Sequence, residues 1–471
     1  KEKNCLSELI APRLHNIGVM LPYTGLHEML FDKAGEPAFV MTSANPPSEP
    51  IVINNEEAIK TLGSTVDYFL FHTRIITQRC DDSVIRLHEG RRIFTRRSRG
   101  YAPTPISLKD SSKRCVLGVG AKENVNACVI LNDRAFISQY IGDVENLETI
   151  MFLKTTISHL LTLTNAKIDF ISCDLHPKFA TTKLAHKIGA ELGISVLPVQ
   201  HHHAHALSLM GENALDAVVC IVCDGYGYGA DGSAWGGEIL LCEDEDFRRV
   251  GHLEEQPLVG GDLASRYPVR MAAGILKNPA DIQKLLLARA THFPYKEDEA
   301  VTILDQLQRA RFLTTTSCGR ILDAASAILD LCYERTYQGE PAMKLESAAV
   351  YGRDVLSIKP QIASDTLATT NIIEAVFNAS TTTADPRKTA DLAFSVESYL
   401  AKGLAQIAIT AAQDNGVSDI GFSGGVSYNK HITIAIKNIV EENGLRFYMQ
   451  KQLPPGDGGI SFGQALAASA L

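Results

Sequence analysis

The sequence predicts an α/β protein with a shorter N-terminal part and a larger, two-lobed remainder. Three observations predict it. Short apolar runs alternate with amphipathic stretches along the chain. A strand, glycine turn and strand pattern occurs twice, at 115–143 and 216–242, each time followed by helical sequence. A polar, aperiodic segment, "TPISLKDSSKR" at 104–114, separates the two parts. The 471 residues are 45% hydrophobic and 21% charged, an ordinary globular mix with room for roughly two to four domains. No apolar run approaches the ~20 residues of a membrane helix, so no membrane association is expected. A net charge of −9, with one dense basic tract at 91–101, weighs against a general nucleic-acid binder and suits a small anionic ligand such as a nucleoside triphosphate. The ten cysteines stand mostly alone in apolar segments. They read as core thiols in a reduced, cytoplasmic compartment.

The elements follow in chain order. Residues 8–105 read as alternating short strands and helices. "EPAFV" (36–40) is a strand running into a Pro/Ser/Asn loop, "NNEEAIKTL" (54–62) opens a helix with acids in its first turn, and "DDSVIRLHEGRRIFTRRSRGYAP" (81–103) is a strand pattern around a turn. The first domain is therefore set at 1–103, the linker at 104–114 and the second domain at 115–471, with lobes of approximately 115–215 and 216–471. Within these, "NLETIMFLKTTISHLLTL" is helical, "GISVLPV" is a buried strand and "HHHAHALSLMGEN" a helix. The C-terminal third alternates helix 395–414, strand "DIGFSGG", helix 428–442, strand "LRFYMQ", loop "PPGDGG" and a final helix.

The candidate chemistry starts at "VQHHHAHALS" (199–208). On a helix His201 and His205 stand four apart, so their rings leave one face at the spacing two imidazoles need to share a cation. The helix N-terminus disfavours imidazolium, which leaves lone pairs free for a metal. His202 and His203 point elsewhere and read as packing or supporting groups. The competing reading is a solvated polar helix start. Asp224 ends the strand "AVVCIVCD" before a glycine-rich turn, and Asp457 sits in "PPGDGG". Either alone suits a turn, but with the histidines they make a mixed N/O site fitting Fe or Zn, or Mn. The glycine turns, with "FSGGVSYN" (422–429) as a third, can face an anion with backbone N–H groups. In the first domain "TSAN" (42–45) offers hydroxyls and an amide, and Arg96, Arg97 and Arg99 offer forked cations for phosphate. A solvated strand edge explains these equally well.

Taken together, "GVMLPYTGLHEMLF", "MTSANPPSEP", "QRCDDSVIR", "RRSRGYAP", "HHHAHA", "CDGYGYGADGSAWGGE", "SCGRILDA", "FSGGVSYN" and "PPGDGGISFGQ" resemble the HypF family of hydrogenase-maturation carbamoyltransferases over essentially the whole chain. The resemblance implies a partial YrdC-like α/β domain followed by a two-lobed ASKHA-type (actin-like ATPase) domain. The first is implied to make carbamoyl-AMP from carbamoyl phosphate and ATP, with Ser43, Asn45, Arg96, Arg97 and Arg99 serving the adenylation site. The second is implied to hold a metal on His201, His205, Asp224 and Asp457 and a nucleotide, Mg included, at Gly339, Glu340, Gly424, Gly425 and Asn429. It would pass the carbamoyl group to the C-terminal cysteine of the partner HypE, the source of the cyanide ligands of [NiFe] hydrogenase iron.

The mechanism implied needs no covalent nucleophile, and no Ser–His–Asp or Cys–His signature is present. The metal would act as a Lewis acid on the carbamoyl or phosphoryl oxygen, and His202 or His203 would take the thiol proton. The sequence opens "KEKNCLSELIAP" without methionine or signal pattern, as if it began inside a longer protein. The family's acylphosphatase-like domain, its C4 zinc modules and the beginning of its YrdC-like domain fall outside it, so hydrolysis of carbamoyl phosphate is not expected of these residues. Alternatives are an O-carbamoyltransferase acting on a small-molecule hydroxyl, a tRNA-modifying threonylcarbamoyl transferase, against which the acidic balance weighs, and a nucleotide-binding scaffold without catalysis.

Overall fold

A computed structural model describes residues 6–380 and 385–469; the first five residues of the opening "KEKNCLSELIAP" lie outside them. The two predicted lobes are each built on a sheet of the same design. In the first, strands Arg134–Ile137, Cys128–Leu131, Val116–Gly118, Phe170–Asp174 and Ser195–Val199 lie side by side in that order. In the second the order is Asp246–Leu253, Ala234–Glu243, Ala217–Tyr228, Asp419–Ser423 and Arg446–Tyr448. Each time the first three strands in sequence form an antiparallel meander, and the last two join parallel to the first strand. The parallel strands are reached through helices, as crossover connections require. The repeated pattern in the sequence is thus a repeated topology. The short strand Ile106–Ser107, inside the segment read as linker, pairs with Arg134–Ile137 at the edge of the first sheet.

Two helices lie between the sheets. His201–Asn213 packs on the face of the second sheet that carries Val218, Cys220 and Val222, while Val219, Ile221 and Cys223 point into the opposite core. Alternation along the strand thus buries the Cys220 thiol on one face and the Cys223 thiol on the other. The terminal helix Ile460–Ser469 leaves the second lobe and packs Phe462, Ala465 and Ala468 against Val116, Cys128 and Ile130 of the first sheet. The two helices cross at Gly463, where a Cβ would overlap the Ala204 carbonyl oxygen; only glycine permits that approach. The long helix expected at 395–414 runs over Pro386–Asp414. Its start is set by Asp385 as N-cap and Pro386 in the first turn, a stop-and-start signal that outweighs the weaker apolar periodicity there.

The N-terminal part is organised differently. The hairpin Val84–His88 and Arg91–Arg96 forms as expected, with Glu89 and Gly90 both at positive φ in its two-residue turn. Helices Gly25–Ala34 and Asn55–Leu62 also form, the second capped by Asn54. The strand expected at 36–40 does not: the run pairs with no strand among the described residues, and Val40 is 82% exposed. An extended run becomes a strand only when a neighbour takes up its N–H and C=O groups. This part docks on the second lobe through Arg86, whose guanidinium holds Glu346 at 2.8 and 3.2 Å and the Tyr428 carbonyl at 3.1 Å. Among the described residues no helix is long and apolar enough to cross a membrane.

Candidate metal and nucleotide centre

The histidine helix begins directly after strand Ser195–Val199. Gln200 caps it by accepting the His203 N–H at 2.8 Å, and all four histidines are buried. His201 and His205 present their rings on one face with centroids 5.1 Å apart. Asp224 does not end its strand, as expected, but meets them from within strand Ala217–Tyr228, which continues through Gly225–Tyr228, and Asp457 comes from the single turn preceding the terminal helix. His205 Nε2 lies 3.1 Å from Asp224 and 3.6 Å from Asp457; His201 Nε2 lies 3.5 and 3.8 Å from the same carboxylates. One ligand atom from each of the four falls within 4.8 Å of every other. Ligands held about 2.0–2.2 Å from a common Zn-sized ion stand at such separations from one another. His201 Nε2 is buried without a hydrogen-bond partner, as a ring nitrogen reserved for a metal would be. The residues present fit the group.

Asp174, at the end of strand Phe170–Asp174, orients the first ligand. Its carboxylate takes the His201 Nδ1–H at 2.7 Å and the His176 N–H at 2.8 Å, which fixes the tautomer with Nε2 facing the cluster. Burial pushes the His201 pKa down, but Asp174, Asp224 and Asp457 more than reverse this and hold it well above the ordinary histidine value. Burial likewise pushes Asp224 up, and the two imidazoles overcome it, so its carboxyl stays well below the usual range. Asp457 is raised by burial and by Asp224. Two carboxylates and two imidazoles in one dry pocket are electrostatically incomplete, and a divalent cation completes them.

The glycine turns converge on the same point. Gly424, at φ 90°, donates to the Pro455 carbonyl at 2.8 Å and ties its turn to the Asp457 loop. A Cβ on Gly425 would stand 3.1 Å from Asp224 Oδ1. From the first lobe, Asn126 Nδ2 donates to the Gly458 carbonyl at 2.7 Å. Gly339, at φ 72°, begins helix Glu340–Ala349. The side chains of Glu340 and Asn429 are spent locally: Glu340 accepts from Thr336 and Lys344, while Asn429 donates to Glu397 at 2.7 Å and caps Ile432 N–H at 2.9 Å. They shape the turns on either side of the cleft. Across the cleft Gln338 joins the first lobe, donating to Glu123 and accepting from Asn124. Burial, then Asp457 and Asp143, push Glu123 up to about 7.

Three expected roles do not survive the geometry. His203 lies two residues round the helix from His201, stacks on Phe247 at 4.5 Å and is pushed down by burial to about 4; it does not reach the cluster. His202 accepts the Gln200 amide at Nδ1, which leaves the proton on Nε2. A ring whose acceptor nitrogen is already used cannot take a thiol proton, so neither histidine is placed as the base. Arg97 turns inward, 4% exposed, and donates to the carbonyls of Tyr101 and Thr104.

The remaining first-domain residues divide. Ser43, Asn45 and Arg96 line a cavity of about 220 Å³ shared with Tyr140 and Asp143 of the first lobe. Arg96 lies over the Tyr140 ring at 4.4 Å. Arg99 is committed to Asp82, Tyr23 and the Cys80 carbonyl. Arg79 lines the cavity instead. A larger groove of about 660 Å³ under Arg13–His15 carries none of the candidate ligands.

Comparison with known proteins places the chain in a family. Residues 220–464 match the family described as "Carbamoyltransferase, Kae1-like Domain, second subdomain", residues 111–212 match "HypF Kae1-like domain", and residues 1–98 match the Sua5/YciO/YrdC family described as "Telomere recombination". The probable carbamoyltransferase HypF of Methanocaldococcus jannaschii is 44% identical over 96% of this chain and 59% of its own length. A carbamoyltransferase HypF homolog of Cupriavidus necator is 30% identical over 75% of this chain and 91% of its own. The crystal structure of T. kodakarensis HypF superposes with a TM-score of 0.93 at 40% identity, over 100% of this chain and 62% of that one. A full-length HypF in phosphate- and nucleotide-bound form gives 0.90 at 31%, over 98% and 60%. The chain thus spans about three fifths of the length of the first of these relatives and of both structures.

Proposed function

The chain belongs to the HypF carbamoyltransferase family, and from that premise we propose that its two-lobed domain transfers a carbamoyl group from carbamoyl-AMP to a thiol of a partner protein in hydrogenase maturation. The observation that carries the reading is the cluster of His201, His205, Asp224 and Asp457, with the turn Gly424–Gly425 set directly on Asp224. His201 and His205 through Nε2, with one oxygen each of Asp224 and Asp457, would hold Fe or Zn; Mg would accompany the nucleotide. When bound, the ion supplies Lewis-acid polarisation of a carbamoyl or phosphoryl oxygen.

This chain's own residues do the rest. Asp174 keeps His201 in the ligating tautomer, and the glycine turns let backbone approach the nucleotide closely. The cavity between Ser43, Asn45, Arg96 and Tyr140 is where the adenylation half, acting on carbamoyl phosphate and ATP, meets the transfer half. The acceptor thiolate, taken to be the C-terminal cysteine of HypE, attacks the carbamoyl carbon. The C–S bond forms, the C–O bond to phosphate breaks, and AMP leaves with the electron pair. The nine described cysteines are all free, which fits a reducing, cytoplasmic setting.

The test is metal content and ATP or AMP binding for the parent and for His201→Ala/His205→Ala, followed by carbamoylation of the partner. About one metal per chain, lost in the double variant together with transfer, is the expected result. A folded double variant that keeps its metal and its transfer activity would refute the assignment.

A further inference from the structure

Helix Cys318–Ile328 begins against Asp224 and Gly225 of strand Ala217–Tyr228. Ser317 caps it, accepting the Arg320 N–H at 3.2 Å and reaching the carbonyls of Asp224 and Gly225 at 2.8 Å. Gly319 packs on backbone: a Cβ there would lie 3.1 Å from Gly225 Cα. The first amides of the helix are therefore covered by protein and offer nothing to a ligand.

What reaches past them is Arg320. It is only 7% exposed, and its Nε is buried with no hydrogen-bond partner. Nη2 lies 3.0 Å from Asp323 Oδ2, close enough for an ion pair, yet that oxygen too lacks an aligned hydrogen bond. Nη2 also stands 3.3 Å from the point a Cβ on Gly225 would occupy. Gly225 is half-buried and follows Asp224 directly. The guanidinium thus borders the space that the missing side chain leaves open beside the metal cluster.

A buried arginine with an unused donor needs a reason, because desolvating it is expensive and a single misaligned carboxylate recovers little. The surroundings supply one. Asp224, Asp457, Glu123 and Asp143 make the cleft acidic, as their mutual effects on one another show. A phosphate entering beside them needs positive charge around it: the metal cluster and Arg335 lie near these acids, and the forked N–H groups of Arg320 match two oxygens of a phosphate.

We propose that Arg320 is an anion-binding residue of the transfer cleft, taking the phosphate of a bound nucleotide beside Asp224. The inference rests on the nucleotide reading given above and assigns a donor to the group that leaves. As the C–S bond forms and the C–O bond breaks, the electron pair arrives on a phosphate oxygen, and Arg320 meets that charge.

The experiment compares AMP, adenosine and inorganic phosphate, each titrated calorimetrically into the metal-loaded parent, Arg320→Lys, and Arg320→Met/Asp323→Asn. The double variant removes both members of the buried pair, so no lone charge is left to unfold the protein. Metal content shows whether each variant keeps its cluster. AMP affinity is expected to fall roughly ten- to hundred-fold in the double variant, with Arg320→Lys between, while adenosine affinity stays at the parent's level. Gly225→Ala, whose Cβ would stand 3.3 Å from Arg320 Nη2 and fill the space beside it, is expected to weaken AMP selectively as well. AMP and adenosine falling together, or neither changing, overturns the proposal. If the parent binds neither, the nucleotide reading itself fails, and inorganic phosphate decides Arg320 alone: binding that depends on Arg320 upholds the anion site, and its absence overturns it.

Discussion

Replacing Asp174 by asparagine should weaken metal binding without removing any metal ligand. Asp174 accepts two hydrogen bonds, from His201 Nδ1 at 2.7 Å and from the His176 N–H at 2.8 Å, and it is fully buried. An asparagine of the same shape has one acceptor oxygen, so one of the two N–H groups must face an NH2 group. If His176 keeps the oxygen, His201 is pushed toward the wrong tautomer, with its proton on the metal side. If His201 keeps it, the ring stays oriented but loses the carboxylate that makes it a stronger base. Losses of supporting carboxylates of this kind amount to about 10- to 100-fold in metal affinity, or roughly 1.4–2.7 kcal/mol. The unmatched N–H adds about 1–3 kcal/mol of lost stability. Competition with a chelator of known affinity, read as metal retained per chain, measures the first quantity, and thermal melting measures the second. A folded Asp174→Asn protein whose metal affinity stays within about twofold of the parent would refute the orienting role, since the expected loss is at least tenfold.

Other expectations follow from the same geometry. His201 is held protonated well above the ordinary histidine value, so metal binding near neutral pH should release a proton, seen as a binding enthalpy that changes with the buffer's ionisation enthalpy. The apo form should show the matching pH dependence. The raised His201 pKa contributes stability that is full below about 6.5 and is lost as pH rises through the folded value; the depressed Asp224 pKa contributes stability present above about 3.9 and lost as pH falls through its folded value. The gap in melting temperature between metal-loaded and apo protein should therefore widen as pH rises from neutral; a constant gap would contradict this. Gly463→Val would drive a side chain into the Ala204 carbonyl. It should cost about 1–3 kcal/mol in a denaturant melt and lower metal occupancy, because the histidine helix must move. Arg86→Met leaves Glu346 buried without its guanidinium and should cost about 3–5 kcal/mol, recovered in large part by adding Glu346→Met.

The centre was legible to the extent that its parts obey local rules. His201 and His205 stand out because four residues bring side chains to one face of a helix, and Asp457 because glycine loops are where such folds gather ligands; Asp224 was picked as a strand end, though its strand runs on to Tyr228. The structure brings all four together. Asp174 and Arg320 were not legible, since each acts through a partner that only the tertiary fold brings near. Arg97 shows a rule applied too loosely: adjacent residues at the end of a strand diverge, so a run of arginines cannot all face one cavity. The expected strand at 36–40 failed for a different reason, because apolar patterning can predict an extended run but not the neighbour that makes it a strand.

The return of the terminal helix to the first sheet has a consequence for how the molecule is made. The first lobe's strands leave the ribosome early, but one wall of their core, Phe462, Ala465 and Ala468, arrives some 250 residues after the last strand of that sheet. Asp457 arrives with it. Until then the face of the sheet carrying Val116, Cys128 and Ile130 stays in water, and the cation cluster is one ligand short. Closing so long a loop is slow in folding and cheap at equilibrium. Metal capture therefore serves as a natural timestamp: a chain that holds its ion firmly has finished folding both lobes.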